Sequence, residues 1–197
     1  MNFSRASLIS VLMVTLLSGI MITIFFVSVT KEPISQIKIK KHRELIQKLM
    51  PLAYNNDLVN DKIEITALGD LGTSNPVPIY RARSYIEKAD RPVGLIILPM
   101  APGGYNGMIK LAVSIDSQGK ILIANILEHN ETPAFGDAIH QDNSDWLESF
   151  IGKTSTELAE EAGIDQISGA SVSSNAVTTA IIKSLAFYQR EKDQLWE

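Results

Sequence analysis

The chain has no cysteine among its 197 residues. That excludes disulfides, iron–sulfur ligation and thiol catalysis together. Histidine is nearly as scarce: His42, His129 and His140 are the only three, and they lie far apart. No histidine-based metal site is therefore expected. Charge is missing from residues 6–30, where Leu8, Ile9, Val11, Leu12, Met13, Val14, Leu16 and Leu17 precede a second apolar run over 20–27. A bilayer core needs about 20 apolar residues as a helix, so this stretch is long enough to span. A secretory signal has a shorter apolar core and a small-residue cleavage site. Here the run leads into Val29-Thr30-Lys31-Glu32-Pro33 with no such site, and an uncleaved anchor is expected.

The rest of the chain is acidic. Removing residues 1–30 takes away only Arg5, leaving 17 basic and 22 acidic side chains, a net of −5. A domain of that charge is a poor partner for nucleic acid, and none is expected. Lys31, Lys38, Lys40, Lys41, His42 and Arg43 follow the span and Arg5 precedes it. Counted alone, that bias leans toward a cytoplasmic C-terminal side, but long domains translocate largely regardless of it.

After the anchor, residues 38–50 carry Ile39, Leu45, Ile46, Leu49 and Met50 among charges. They read as an amphipathic helix that stops at Pro51 and links the anchor to the globular part. A short strand is expected at 63–66 and a turn region over 69–78, which holds two glycines and two prolines. Strands follow at 79–85, 93–98, 108–115 and 121–128. The last two are joined by Asp116-Ser117-Gln118-Gly119, a hairpin turn. Helices are expected at 137–150, at 155–162 and from Ser173 or Ser174 to Arg190, with a serine as N-cap of the last. Strands first and helices afterwards point to an α+β domain with a mainly antiparallel sheet and flanking helices.

Three segments carry chemistry. The first is Ala101-Pro102-Gly103-Gly104-Tyr105-Asn106-Gly107, read as a tight loop before a strand. The second is Glu128-His129-Asn130-Glu131-Thr132-Pro133-Ala134-Phe135-Gly136-Asp137, a strand-to-helix loop. Its Glu128, His129 and Glu131 suit an acid/base pair or a partial metal set, and equally a solvated loop with Asp137 as a helix cap. The third is Asp165-Gln166-Ile167-Ser168-Gly169-Ala170-Ser171-Val172-Ser173-Ser174-Asn175, with four hydroxyls, one glycine and little bulk, opening into a helix. A helix N-terminus presents unpaired N–H groups and positive dipole to an anion. Serines that merely cap the helix fit the same composition.

Taken together, the three blocks resemble the G subunit of the Rnf ion-translocating electron-transport complex, an FMN-binding domain family related to the C subunit of the sodium-pumping NADH:quinone reductase. The carriers are Ala101-Pro102-x-Gly104-Tyr105-x-Gly107, Glu128-His129-x-Glu131-Thr132-Pro133-x-x-Gly136-Asp137 and Asp165-Gln166-x-Ser168-Gly169-Ala170-Ser171. The resemblance implies a transmembrane anchor over 1–30, a helical linker over 31–60 and an extracytoplasmic FMN-binding domain over 61–197. It implies a single-pass protein of a bacterial or archaeal inner membrane, its C-terminal domain on the periplasmic side. FMN is implied to be covalently joined by a phosphoester to Ser171, made by a flavin transferase.

Ser168, Gly169, Ala170, Asp165, Ser174, Glu131, Thr132, Pro133, Gly136 and Tyr105 are the other implied cofactor-binding residues. The family usually has threonine where Ser171 stands, and many relatives have Gly-Leu in place of Ala134-Phe135; an aromatic at 135 can still pack on a flavin ring. The expected function is an electron-transfer subunit of a translocase that couples ferredoxin:NAD electron transfer to Na⁺ or H⁺ translocation. Its partners are the other subunits of the complex, and it has no independent catalysis. The alternatives are the quinone reductase C subunit and a flavin-free, membrane-tethered binding or assembly module. A hydrolase using Glu131 and His129 lacks a recognisable nucleophile–base–orienter set.

Overall fold

The computed structural model describes residues 5–66, 69–86, 89–133, 136–140, 142, 144–160 and 164–197; at 5, 6, 29–35 and 160 it describes the backbone alone. The chain divides into two compact units, Met1–Leu45 and Ile46–Glu197.

Helix α1 runs from Arg5 to Lys48. Within it Ser7–Ser28 has a mean hydropathy of 2.5 and is long and apolar enough to cross a membrane. Hydroxyls along this stretch bond back to the helix: Thr15 donates to the Leu12 carbonyl and Thr23 to the Gly19 carbonyl, both at 2.9 Å. The 38–50 segment, expected as a linking helix, is the continuation of this same helix. Pro33 lies inside α1, since a single proline removes one intrahelical bond but leaves those on either side. The end comes at Lys48 and not at Pro51. There Leu49 and Met50 donate to the carbonyls of Ile46 and Gln47 in tight three-residue turns.

The second unit is built on a six-stranded antiparallel sheet. Its strands are β1 (Lys62–Ile65), β2 (Val77–Ile86), β3 (Ala89–Ile97), β4 (Met100–Gly104), β5 (Gly107–Asp116) and β6 (Ile121–Glu128). β1 pairs with β2 and β2 with β3, while β5 carries β6 on one edge. On its other edge β5 pairs with β3 through Ile96↔Ser114 and with β4 through Met100↔Lys110. So β3 and β4 follow each other along one edge of β5, bent at Leu98-Pro99. The expected strands stand, each with ends shifted by a few residues, and β6 has the expected bounds.

The core lies where β5 meets its neighbours: Leu111, Ala112, Val113, Ser114 and Ile115 are all fully buried. Ser114 uses its hydroxyl to hold the Leu49 carbonyl at 2.5 Å. A long helix, α3 (Ser171–Leu195), packs on β4 and β5. Its Val177, Ile181, Leu185 and Tyr188 recur at helical spacing and are buried. Each apolar side chain so placed contributes about 2 kcal/mol. At the far end Arg83 of β2 bonds the Trp196 carbonyl at 3.1 Å and lies 5.4 Å over its ring. That contact ties the C-terminus to the sheet.

Three expectations need correction. The 101–107 segment is not a free loop: it is β4 turning into β5, with Gly104 paired to Gly107 around a two-residue Tyr105-Asn106 turn. The 137–150 segment is not one helix but two 3-10 turns, Gly136–Ile139 and Trp146–Phe150. Its polar middle bonds locally in place of a helical ladder: Ser144 donates to the Ala138 carbonyl at 2.6 Å, and the Asp142 N–H donates to His140 Nδ1 at 3.3 Å. Thirdly, α3 begins at Ser171, not at Ser173 or Ser174, so no serine is its N-cap. The expected 155–162 helix is α2 (Ser155–Glu160), and 161–163 fall outside the described residues.

Candidate cofactor-binding site

The N-cap of α3 is Ala170, at φ −129 and ψ 27, with no side-chain capping bond. The first intrahelical bond is Ser174 N–H to the Ala170 carbonyl, at 2.9 Å. The N–H groups of Ser171, Val172 and Ser173 therefore precede the ladder and have no acceptor within the helix. No acidic residue stands in the first turn, so the positive end of the dipole is left for an anion from elsewhere. The approach to this terminus is fixed. Gly169 takes φ +84, and the Ala170 N–H closes a turn onto the Ile167 carbonyl at 3.0 Å.

Ser171 and Val172 stand on the walls of two cavities. The smaller, about 500 Å³, is lined by Tyr105, Thr132, Gly136, Gly169, Ala170, Ser171, Val172 and Ser173. The sequence blocks thus converge here: Tyr105 of the β4–β5 turn, Thr132 and Gly136 of the second block and the start of α3 form one wall. The larger, about 850 Å³, runs along α3 past Asn175, Ala176, Thr179 and Lys183, facing Met100, Pro102 and Gly103 of β4 and Thr73 and Ser74. Ser171 is exposed and so is Val172.

Glu131 is placed differently from its neighbours. It is 6% exposed and lies behind the cavity wall, not on it. Its Oε1 accepts the Asn106 N–H at 3.3 Å, and its own N–H donates to His129 Nδ1 at 3.2 Å. Its Oε2 is buried and has no hydrogen-bond partner among the described residues. Thr132 Oγ1 accepts from Asn106 Nδ2 at 2.9 Å. The side chains of the 128–131 set are directed to separate partners. Glu128 pairs with Lys110 at 3.3 Å, the His129 ring faces that of His140 at 5.7 Å, and no group of three His, Asp or Glu suited to a metal occurs among the described residues.

Of the expected cofactor-binding residues, Tyr105, Thr132, Gly136, Gly169, Ala170 and Ser171 line the smaller cavity. Ser174 is buried beneath it, bonded to Ile167 N–H and to the Ser171 carbonyl. Asp165, Ser168 and Pro133 are exposed and on neither cavity wall. Asp165 contributes its carbonyl to Trp146 Nε1 at 2.7 Å. Phe135 lies outside the described residues. Val172, Ser173 and Asn175 belong to the third sequence segment though not to the expected cofactor-binding residues, and Thr179 and Lys183, which continue a polar stripe from Asn175, were not anticipated. The stripe had a signal: it follows Ser171 in steps of four, one face of a helix.

Residues 104–186 match the model of the FMN-binding domain, an interval that begins at the β4–β5 turn and ends within α3. The relatives are consistent with one another. The chain is 33% identical over 167 residues to the G subunit of the ion-translocating oxidoreductase complex of Shewanella amazonensis, covering 80% of this chain and 76% of that one. It is 33% identical to the G subunit of the same complex in Photorhabdus laumondii, covering 85% and 82%. To that of Pseudomonas aeruginosa it is 32% identical, covering 78% and 73%. The chain belongs to the family formed by the G subunits of ion-translocating oxidoreductase complexes.

The residues present fit a flavin nucleotide. An uncapped helix N-terminus suits its phosphate, and the adjoining cavity of about 500 Å³ is within the size range of small-cofactor sites.

Proposed function

We propose that this chain is the membrane-anchored electron-transfer subunit of an Rnf-type complex, with FMN joined through its phosphate to the Ser171 hydroxyl. The observation that carries the reading is the position of Ser171. It is the first residue of α3, exposed, beside N–H groups with no helical acceptor and on the wall of the cavity that the three blocks build. When bound, the flavin supplies the redox chemistry, which no side chain here could supply. The protein's part is to hold the phosphate at the helix terminus, to shape the cavity and to keep the cofactor from diffusing away. Gly169 and Ala170 leave room for the ribityl chain, while Tyr105 and Thr132 frame the ring. Glu131, Pro133 and Gly136 give that frame its shape, Ser168 and Asp165 its approach, and Ser174 its floor.

In this reading residues 1–30 anchor the chain, 31–60 connect, and 61–197 form the flavin domain on the extracytoplasmic side. The complex passes electrons between ferredoxin and NAD while moving Na⁺ or H⁺. A flavin transferase attaches the cofactor to Ser171 during maturation. Protein made together with that transferase is expected to fluoresce under ultraviolet light after denaturing electrophoresis. A Ser171→Ala variant that stays fluorescent puts the flavin elsewhere and overturns the assignment.

A further inference from the structure

Glu131 is a buried carboxylate enclosed by two glycines. A Cβ at Gly104 would lie 2.6 Å from its Oε1, and one at Gly136 would lie 2.7 Å from its Oε2 and 2.8 Å from its Cβ. Neither glycine takes a positive φ, so space and not backbone conformation calls for glycine: at Gly136 Glu131 takes it, and at Gly104 the Gly107 carbonyl, 2.4 Å from a Cβ, takes it together with Glu131. What the carboxylate grips is the Tyr105-Asn106 turn. Oε1 holds the Asn106 N–H, Thr132 Oγ1 holds Asn106 Nδ2, and on the far side Ser173 Oγ receives the Tyr105 N–H at 3.4 Å. Tyr105 itself is 73% exposed and stands on the cavity wall. With so little packing of its own, the ring is placed by the backbone of its turn.

We infer that Glu131 is a positioning residue: it does not touch the cofactor but, through the Asn106 N–H, fixes the hairpin turn that sets Tyr105 at the mouth of the flavin cavity. The consequence for the flavin rests on the function proposed above, whereas the clasp itself does not.

Two measurements on the full chain in detergent separate the parts. In the flavin-free protein, amide exchange at Asn106 is expected to accelerate about tenfold or more in Glu131→Ala, the scale of one hydrogen bond to a charged group. Glu131→Gln, which keeps an acceptor oxygen, restores the protection, and Glu131→Asp, one methylene too short, does not. In the flavin-loaded protein, the flavin emission yield of Glu131→Ala is expected to rise to that of Tyr105→Leu, and the double variant to rise no further. Unchanged exchange at Asn106 in both Glu131→Ala and Glu131→Asp overturns the clasp. Emission changes that add in the double variant overturn action through Tyr105. Should Glu131→Ala fail to fold, Glu131→Asp decides both arms. A wild-type protein that carries no flavin defeats the proposed function, while the exchange arm still decides the clasp.

Discussion

Ser174 Oγ accepts the Ile167 N–H at 3.4 Å while donating to the Ser171 carbonyl at 3.2 Å. One buried hydroxyl thus binds the loop before α3 to the helix's first turn. Removing it in Ser174→Ala leaves the Ile167 N–H without that acceptor and costs about 1 kcal/mol. For a domain of this size that is a fall in melting temperature of about 2–4 °C. Thermal unfolding followed by circular dichroism checks it. Flavin attachment is expected to persist, because the Ser171 hydroxyl is untouched.

Two glycines of the site are required for opposite reasons. A Cβ at Gly169 meets nothing within 4 Å, but φ is +84. Gly169→Ala is therefore a conformational penalty of about 1–2 kcal/mol with no clash. At Gly136 the conformation is ordinary and the clash with Glu131 is severe. Gly136→Ala is expected to destabilise more, and Gly136→Ala combined with Glu131→Ala to recover part of the loss. Denaturant unfolding of the two single variants and of each combined with Glu131→Ala checks the ordering; recovery in the Gly169→Ala and Glu131→Ala pair would contradict it.

Helix α2 is held by a reciprocal cap. Thr154 Oγ1 donates to Glu157 Oε2 at 2.8 Å, the Thr154 N–H donates to the same oxygen at 2.7 Å, and the Glu157 N–H returns to Thr154 Oγ1 at 3.4 Å. The Thr154 hydroxyl, then its N–H, hold the Glu157 carboxyl below its ordinary value of 4.5. A lowered value favours the folded state above that pH, and the contribution is lost as pH falls through the folded-state value. Wild type and Glu157→Gln are expected to differ in melting temperature near neutral pH and to converge in acid. A constant difference at every pH would refute the cap.

How far the chain could be read beforehand follows from which signals are local. The span, β6 and the buried face of α3 rest on hydrophobic runs and periodicity, and these were legible. The start of α3 was not. Four hydroxyls in sequence suggested a serine cap, but the turn closed by Ala170 N–H onto the Ile167 carbonyl and pinned by Ser174 moves the first helical residue to Ser171. Likewise Gly104, Tyr105, Asn106 and Gly107 read as loop, since the strand pairing of Met100 with Lys110 is a contact between distant parts of a glycine-rich segment. Glu131 was recognised as part of the site, but its burial behind the wall depends on Gly104, which lies 27 positions earlier.

The central claim is tested most directly by the mass of the 164–183 segment from protein matured with its flavin transferase. The expected result is a peptide heavier by one FMN less one water, with the modification at Ser171, absent from Ser171→Ala and present again in Ser171→Thr. An unmodified segment in the wild type, or FMN found on Ser168, Ser173 or Ser174 instead, would contradict it.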